Sequence, residues 1–150
     1  MDQTARVIRP EFAPGSRTLA VSDIHGNLPF LRGLLAQVRF SPVDELVLVG
    51  DLFEKGEDSL ALLRYVMELG RTHRVYPLCG NCDDIDRAFL EARPDIDEKL
   101  WPVFRYWGGR SLILQLGAEL GLHPEGPEDL PALRAAILRE RPAETEFLLT

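Results

Sequence analysis

Three short β-type runs each give way to a tight cluster of Asp, Asn, His and Gly residues. Arg17-Thr-Leu-Ala-Val-Ser22 leads into Asp23-Ile-His25-Gly26-Asn27. Glu45-Leu-Val-Leu-Val49 leads into Gly50-Asp51-Leu-Phe-Glu54-Lys55-Gly56. Arg74-Val-Tyr-Pro-Leu78 leads into Gly80-Asn81-Cys82-Asp83. Between the runs, Leu28, Leu31, Leu34, Leu35 and Val38 keep the one-face spacing of a helix, as do Leu60, Leu63, Val66 and Met67. This predicts helices over 28–38 and 58–69. Ser41-Pro42 ends the first, and Gly70 closes the second at its C′ position. A third, shorter helix is predicted over 83–92. The βαβαβα alternation of residues 17–92 fits a parallel sheet with right-handed crossovers. Pro77 weakens the third strand, because proline removes a ladder donor.

In such a sheet the loops at the strands' carboxyl ends meet along one edge, where ligands bind. Asp23, His25, Asp51 and Asn81 are therefore expected to meet in space. A carboxylate, imidazole and amide set suits Mn²⁺, Fe²⁺ or Zn²⁺ and not a thiolate-type site. Taken singly, each residue has a plainer role: a structural histidine, a turn-capping aspartate, an asparagine accepting left-handed angles. The shared placement after three strands favours ligands. Cys79-x-x-Cys82 has dithiol spacing, but Gly-Asn fills it and no aromatic residue precedes it, so redox chemistry is not expected. His73 and His123 are expected at the surface.

Charge and composition exclude several classes. Lys and Arg number 17 against 24 Asp and Glu, a net charge of −7. Such a chain repels nucleic-acid backbone unless a local basic patch intervenes. With 45% hydrophobic residues it is not disordered by composition. No apolar run has the roughly 18 residues of a spanning helix. The first residues show no apolar signal region, so a cytoplasmic protein is expected. An anionic substrate would need a bound ion or a local cation to hold it.

Asp23-x-His25, Gly50-Asp51-x4-Gly56 and Gly80-Asn81-Cys82-Asp83 resemble the first three motifs of the calcineurin-like metallophosphoesterase superfamily. The protein serine/threonine phosphatase-like branch is the nearest in pattern, with Glu54-Lys55-Gly56 where that branch has Asp-Arg-Gly. The resemblance covers roughly residues 17–84. It implies an α/β fold, the N-terminal βαβαβ half of a four-layer α/β/β/α sandwich. It also implies two divalent metal ions (Mn²⁺ first, Fe or Zn as alternatives) and hydrolysis of a phosphate monoester by a hydroxide activated between them. On this resemblance Asp23 and His25 hold one ion, Asp51 bridges both, and Asn81 holds the second. Lys55 and Asn81 meet substrate. Asp51, Cys82, Lys55 and Glu54 form the catalytic set, with Cys82 where many members have a histidine assisting the leaving group. The implied partner is a phosphorylated small molecule or protein.

After Pro94 the strand alternation stops. Trp101, Phe104, Tyr106 and Trp107 form an aromatic cluster of core type. Ser111 is expected to cap a helix carrying Leu112, Ile113, Leu116 and Leu120; Asp129 to cap one through Arg139; and Pro142 to begin a last one. The family's later motifs, a histidine followed by glycine and a Gly-His-x-His, are absent. The expected organisation is an N-terminal arm over 1–16, a metal-site part over 17–92 and a helical insertion over 93–150. The alternative to an enzyme is a catalytically incompetent fragment or assembly partner, self-associating through a sheet face left without its partner sheet.

Overall fold

The computed structural model describes residues 9–150. Three parallel strands, β1 (Thr18–Val21), β2 (Glu45–Val49) and β3 (Arg74–Leu78), lie in the order β1-β2-β3. Seven α-helices accompany them: α1 (Leu28–Gln37), α2 (Ser59–Thr72), α3 (Asp83–Leu90), α4 (Ile96–Trp107), α5 (Leu112–Glu119), α6 (Leu130–Glu140) and α7 (Pro142–Leu149). Helix α1 connects β1 to β2 and α2 connects β2 to β3, as the alternation predicts.

Helix α2 departs from the prediction. It runs through Gly70 to Thr72 and stops at His73, whose backbone is extended. One residue then joins it to β3, so the last turn carries the chain to the strand. Two expected caps are also redirected. Ser111 and Asp129 precede α5 and α6, but neither side chain caps its helix. Ser111 Oγ bonds Glu54 instead, and Asp129 accepts from the Glu125 and Gly126 N–H groups.

Strand alternation gives the sheet two unlike faces. Leu46 and Leu48 of β2 are fully buried with Leu31, Leu63, Phe89 and Phe104. Leu112, Ile113, Leu116 and Ile137, from the helices after Pro94, belong to the same core. On the other face Ala20, Val47 and Tyr76 share a row, and Val49 lies beside Leu78. Ala20, Val49 and Leu78 are exposed. Phe12 covers part of this face, its ring edge-on to Tyr76 at 5.7 Å. The Ala13 N–H is bonded to Glu45 Oε1 at 3.0 Å, so residues 9–16 are tied down although they form no helix or strand. The rest of the expected arm, residues 1–8, lies outside the described residues. Among the described residues no helix is long and apolar enough to cross a membrane.

Candidate metal centre

Backbone hydrogen bonds bring the three strand-end loops together. Asp23 N–H donates to Gly50 O (3.1 Å), His25 N–H to Asp51 O (3.0 Å) and Gly26 N–H to Leu52 O (2.7 Å), continuing the β1–β2 pairing into the first two loops. The buried Asp83 carboxylate joins the second loop to the third. Its Oδ1 accepts from Leu52 N (2.8 Å) and Phe53 N (3.2 Å), and its Oδ2 from Gly80 N (2.9 Å). The approach requires glycine. A Cβ on Gly50 would lie 2.7 Å from Gly80 Cα, and one on Gly26 would lie 2.7 Å from Gly56 Cα.

The chain also strains to present these side chains. Asp23 (φ 54°), His25 (φ 46°), Asp51 (φ 53°) and Lys55 (φ 72°) occupy the left-handed region. Such conformations cost about 1–3 kcal/mol each and persist where the surrounding structure fixes them.

His25 Nε2 lies 3.8 Å from Asp23 Oδ1 and 4.0 Å from Asp51 Oδ2. Ligand atoms of His25, Asp51 and Cys82 all fall within 4.8 Å of one another. Asp23 adjoins this trio at His25 and is largely exposed, its Oδ2 taking a 2.6 Å bond from Ser22 Oγ. Asn81 is exposed, its amide 3.6 Å from Cys82 Sγ. Two ligands each about 2.1 Å from one ion lie at most about 4.2 Å apart. The His25–Asp23 and His25–Asp51 separations therefore fit a shared divalent ion. Among the described residues His25 Nδ1 is buried without a partner, which leaves the imidazole's second nitrogen unsatisfied.

Charges support the same reading. Burial opposes ionisation of Asp51, but the bond from the Cys82 N–H, with the Cys82 side chain, His25 and Lys55 nearby, holds its carboxyl below the usual value. Asp51 Oδ1 accepts the Cys82 N–H at 3.0 Å. Burial pushes the Cys82 thiol up, opposed by the neighbouring Lys55. Cys82 beside it raises Lys55, whose Nζ stands 6.0 Å from the centre of the Trp107 ring. Cys82, expected in the catalytic set and not among the metal ligands, thus has its Sγ within the cluster of possible ligand atoms. Neither of the other histidines joins it: His73 is half-buried and stacked on Phe40 at 5.0 Å, where a surface residue was expected, and His123 is exposed.

The calcineurin-like phosphoesterase family profile matches residues 16–146. The chain belongs to this family. Curated relatives named symmetrical bis(5'-nucleosyl)-tetraphosphatase include one from Pectobacterium carotovorum, 49% identical over 121 residues, covering 70% of this chain and 41% of the relative. Another, from Serratia proteamaculans, is 37% identical over 122 residues, covering 70% and 40%. One from Klebsiella pneumoniae is 38% identical over 119 residues, covering 68% and 39%. The chain thus spans about two fifths of the length of these relatives. No solved structure matches it.

Within this calcineurin-like fold, Glu54 leaves the metal cluster. Sequence reasoning set it beside Lys55 in the catalytic set, but its side chain is fully buried and turned toward α5. Its Oε1 accepts from Ser111 Oγ (3.2 Å) and Leu112 N (3.0 Å). Lys55 follows with positive φ, so the two neighbouring side chains part company. Glu54 also meets the fully buried Asp86 carboxyl. Burial raises both groups, Asp86 well above the ordinary carboxyl range, with the Glu54 charge adding to it. Two carboxyls in one dry site resist ionising together, which favours a proton on one of them.

This pair has a pH consequence. The folded state binds a proton that the unfolded chain releases above the ordinary carboxyl range, so stability falls as pH rises from there toward the raised values. The slope for one retained proton is about 1.4 kcal/mol per pH unit. Asp86→Asn, which supplies a neutral partner to Glu54, is expected to flatten that slope. Urea unfolding of both forms at pH 5 and pH 8 measures it; identical slopes would contradict a retained proton.

Further contacts that the sequence reading missed fasten α5 and the turn before it to the second loop. Gln115 Nε2 donates to Gly109 O (2.7 Å) and Gly56 O (3.1 Å), while Gln115 Oε1 accepts from Leu60 N (2.8 Å). Ser59 Oγ reaches Gly56 O (2.7 Å) and Arg110 O (3.4 Å). Asp83 carried a signal, since it stands inside the third motif. Gln115 and Ser59 carried none.

Proposed function

We propose that the chain carries the metal- and phosphate-binding part of a hydrolase acting on small phosphate-bearing molecules, with nucleoside polyphosphates as the first class to try. The convergence of His25, Asp51 and Cys82 from three different loops carries the reading. The relatives' printed name, a dinucleoside tetraphosphatase, favours a polyphosphate over a phosphoprotein monoester.

In this reading Asp23 and His25 would hold one divalent ion and Asn81 a second, with Asp51 serving both. Manganese is the first choice, with iron or zinc behind it. A divalent ion held there supplies Lewis acidity and a water of lowered pKa. Lys55 offers a point charge to a phosphoryl oxygen, without the fork of an arginine. Cys82 stands beside Asp51, to whose Oδ1 its backbone N–H donates, and burial pushes its thiol up.

The test is Mn²⁺-dependent hydrolysis of diadenosine tetraphosphate, with an aryl phosphate alongside, by the chain and by Asp51→Asn. Turnover is expected to require both the metal and Asp51. Wild-type turnover by Asp51→Asn would sink the assignment. A second reading, assembly without turnover, is favoured by one observation: Val49 and Leu78 are paired in register and 47% and 41% exposed on the open sheet face. It expects the chain to sediment as a dimer that Val49→Lys returns to monomer.

A further inference from the structure

We infer that Cys82 Sγ is itself a metal ligand, which makes the centre a mixed nitrogen, oxygen and sulfur site and shifts its preference from Mn²⁺ toward Zn²⁺ and Co²⁺. This rests on the reading of the cluster as a divalent-metal centre and deepens it. The family resemblance gives Cys82 a part in leaving-group chemistry and none in holding an ion, so the assignment departs from the family pattern.

Position and burial set Cys82 apart from its neighbour. Cys82 is buried, whereas Asn81, the third-loop ligand expected from the sequence, is exposed. Cys82 Sγ, a His25 ring nitrogen and an Asp51 oxygen all fall within 4.8 Å of one another. A sulfur about 2.3 Å and a nitrogen or oxygen about 2.1 Å from one ion lie at most about 4.4 Å apart. A small side-chain rotation therefore brings the widest pair into range. The backbone under the sulfur is fixed. The Cys82 N–H donates to Asp51 Oδ1 at 3.0 Å, and the other Asp51 oxygen, Oδ2, is the one 4.0 Å from His25 Nε2. Asp83 ties Gly80 N to Leu52 N and Phe53 N of the second loop, and α3 begins directly after Cys82. Cys82 thus braces the same carboxylate that its sulfur accompanies, and rotation about χ1 alone aims Sγ at an ion.

Three protein ligands with a position left for water is the pattern of catalytic zinc sites, and cysteine and histidine occur together in such sets. Carboxylate and amide oxygens suit Mn²⁺; a thiolate raises the softer ions relative to it. Ligation breaks the S–H bond, forms a sulfur–metal bond and sends the proton to solvent. Lys55 adjoins the thiol but is exposed, so its ammonium can turn to water when an ion arrives.

The plainer role for Cys82 is that of a small buried hydrophobe at the start of α3. Co²⁺ titration of the full chain separates the two, with absorption as the readout and both free cysteines, Cys79 and Cys82, kept reduced by a phosphine. The wild-type chain is expected to show the thiolate-to-cobalt charge-transfer band in the near ultraviolet. Cys79→Ser, which removes the exposed cysteine, should keep that band. Cys82→Ser, nearly the same in shape, should bind Co²⁺ without it. Competition against a chelating dye gives a second readout. Cys82→Ser should weaken Zn²⁺ by about tenfold or more and leave Mn²⁺ nearly unchanged. Co²⁺ bound to the wild-type chain without the band, a band that survives Cys82→Ser, or equal weakening of Zn²⁺ and Mn²⁺ would overturn the ligand assignment while the metal centre stands. No Co²⁺, Zn²⁺ or Mn²⁺ bound by the folded wild-type chain would remove the metal centre and the sulfur ligand together.

Discussion

Asp83→Ala is expected to cost the chain about 3–5 kcal/mol of folding stability. The substitution strips partners from three backbone N–H groups, those of Leu52, Phe53 and Gly80. Leaving a buried donor unsatisfied costs about 1–3 kcal/mol, and total domain stability is only about 5–15 kcal/mol. The loss is therefore a large share of the whole. Asp83→Asn keeps one acceptor oxygen and should fall between the two. Urea unfolding with far-ultraviolet circular dichroism measures the series. A loss below about 1 kcal/mol for Asp83→Ala would mean that the second and third loops are held together by something else.

The second large effect is expected at Gly80. A Cβ there would press against the backbone N and the side-chain Oδ1 of Asp51, and neither is the free end of a flexible chain. The third loop must move, and Asp51 and Cys82 move with it. Gly80→Ala should cost about 1–3 kcal/mol of stability, as overpacking does elsewhere. Its larger effect is on metal affinity, which should fall about 10–100-fold, the range seen when the supports of metal ligands are removed. Thermal melting with and without Mn²⁺ separates the two effects. A variant that melts lower but gains the usual stabilisation from metal would show that the ligands do not depend on this contact.

Much of this was legible from the strands. The runs over 45–49 and 74–78 coincide with β2 and β3. Parallel order then sends Asp23, His25, Asp51 and Asn81 to one edge, because the topology leaves the loops no other place. The direction of individual side chains was less legible. Glu54 and Lys55 are neighbours in a loop motif, yet one is sealed against Asp86 and Ser111 while the other borders Cys82. A positive φ at Lys55 decides this, and a non-glycine residue announces such an angle poorly. The helices after Pro94 were legible as helices, since Leu112, Ile113 and Leu116 keep helical spacing. Their role was not. Gln115 and Arg110 reach the second loop across more than fifty residues of chain, through side-chain bonds that no local pattern encodes. Asp83 was visible in the third motif, but only the folded loops show that it binds three N–H groups.

The central claim is that loops following parallel strands make a divalent metal site. Calorimetric titration of the chain with Mn²⁺, beside His25→Ala and Asp51→Ala, tests it most directly. Saturable binding is expected for the wild-type chain, weakened about tenfold or more in each variant. Equal binding in all three, or none in the folded wild-type chain, would contradict it.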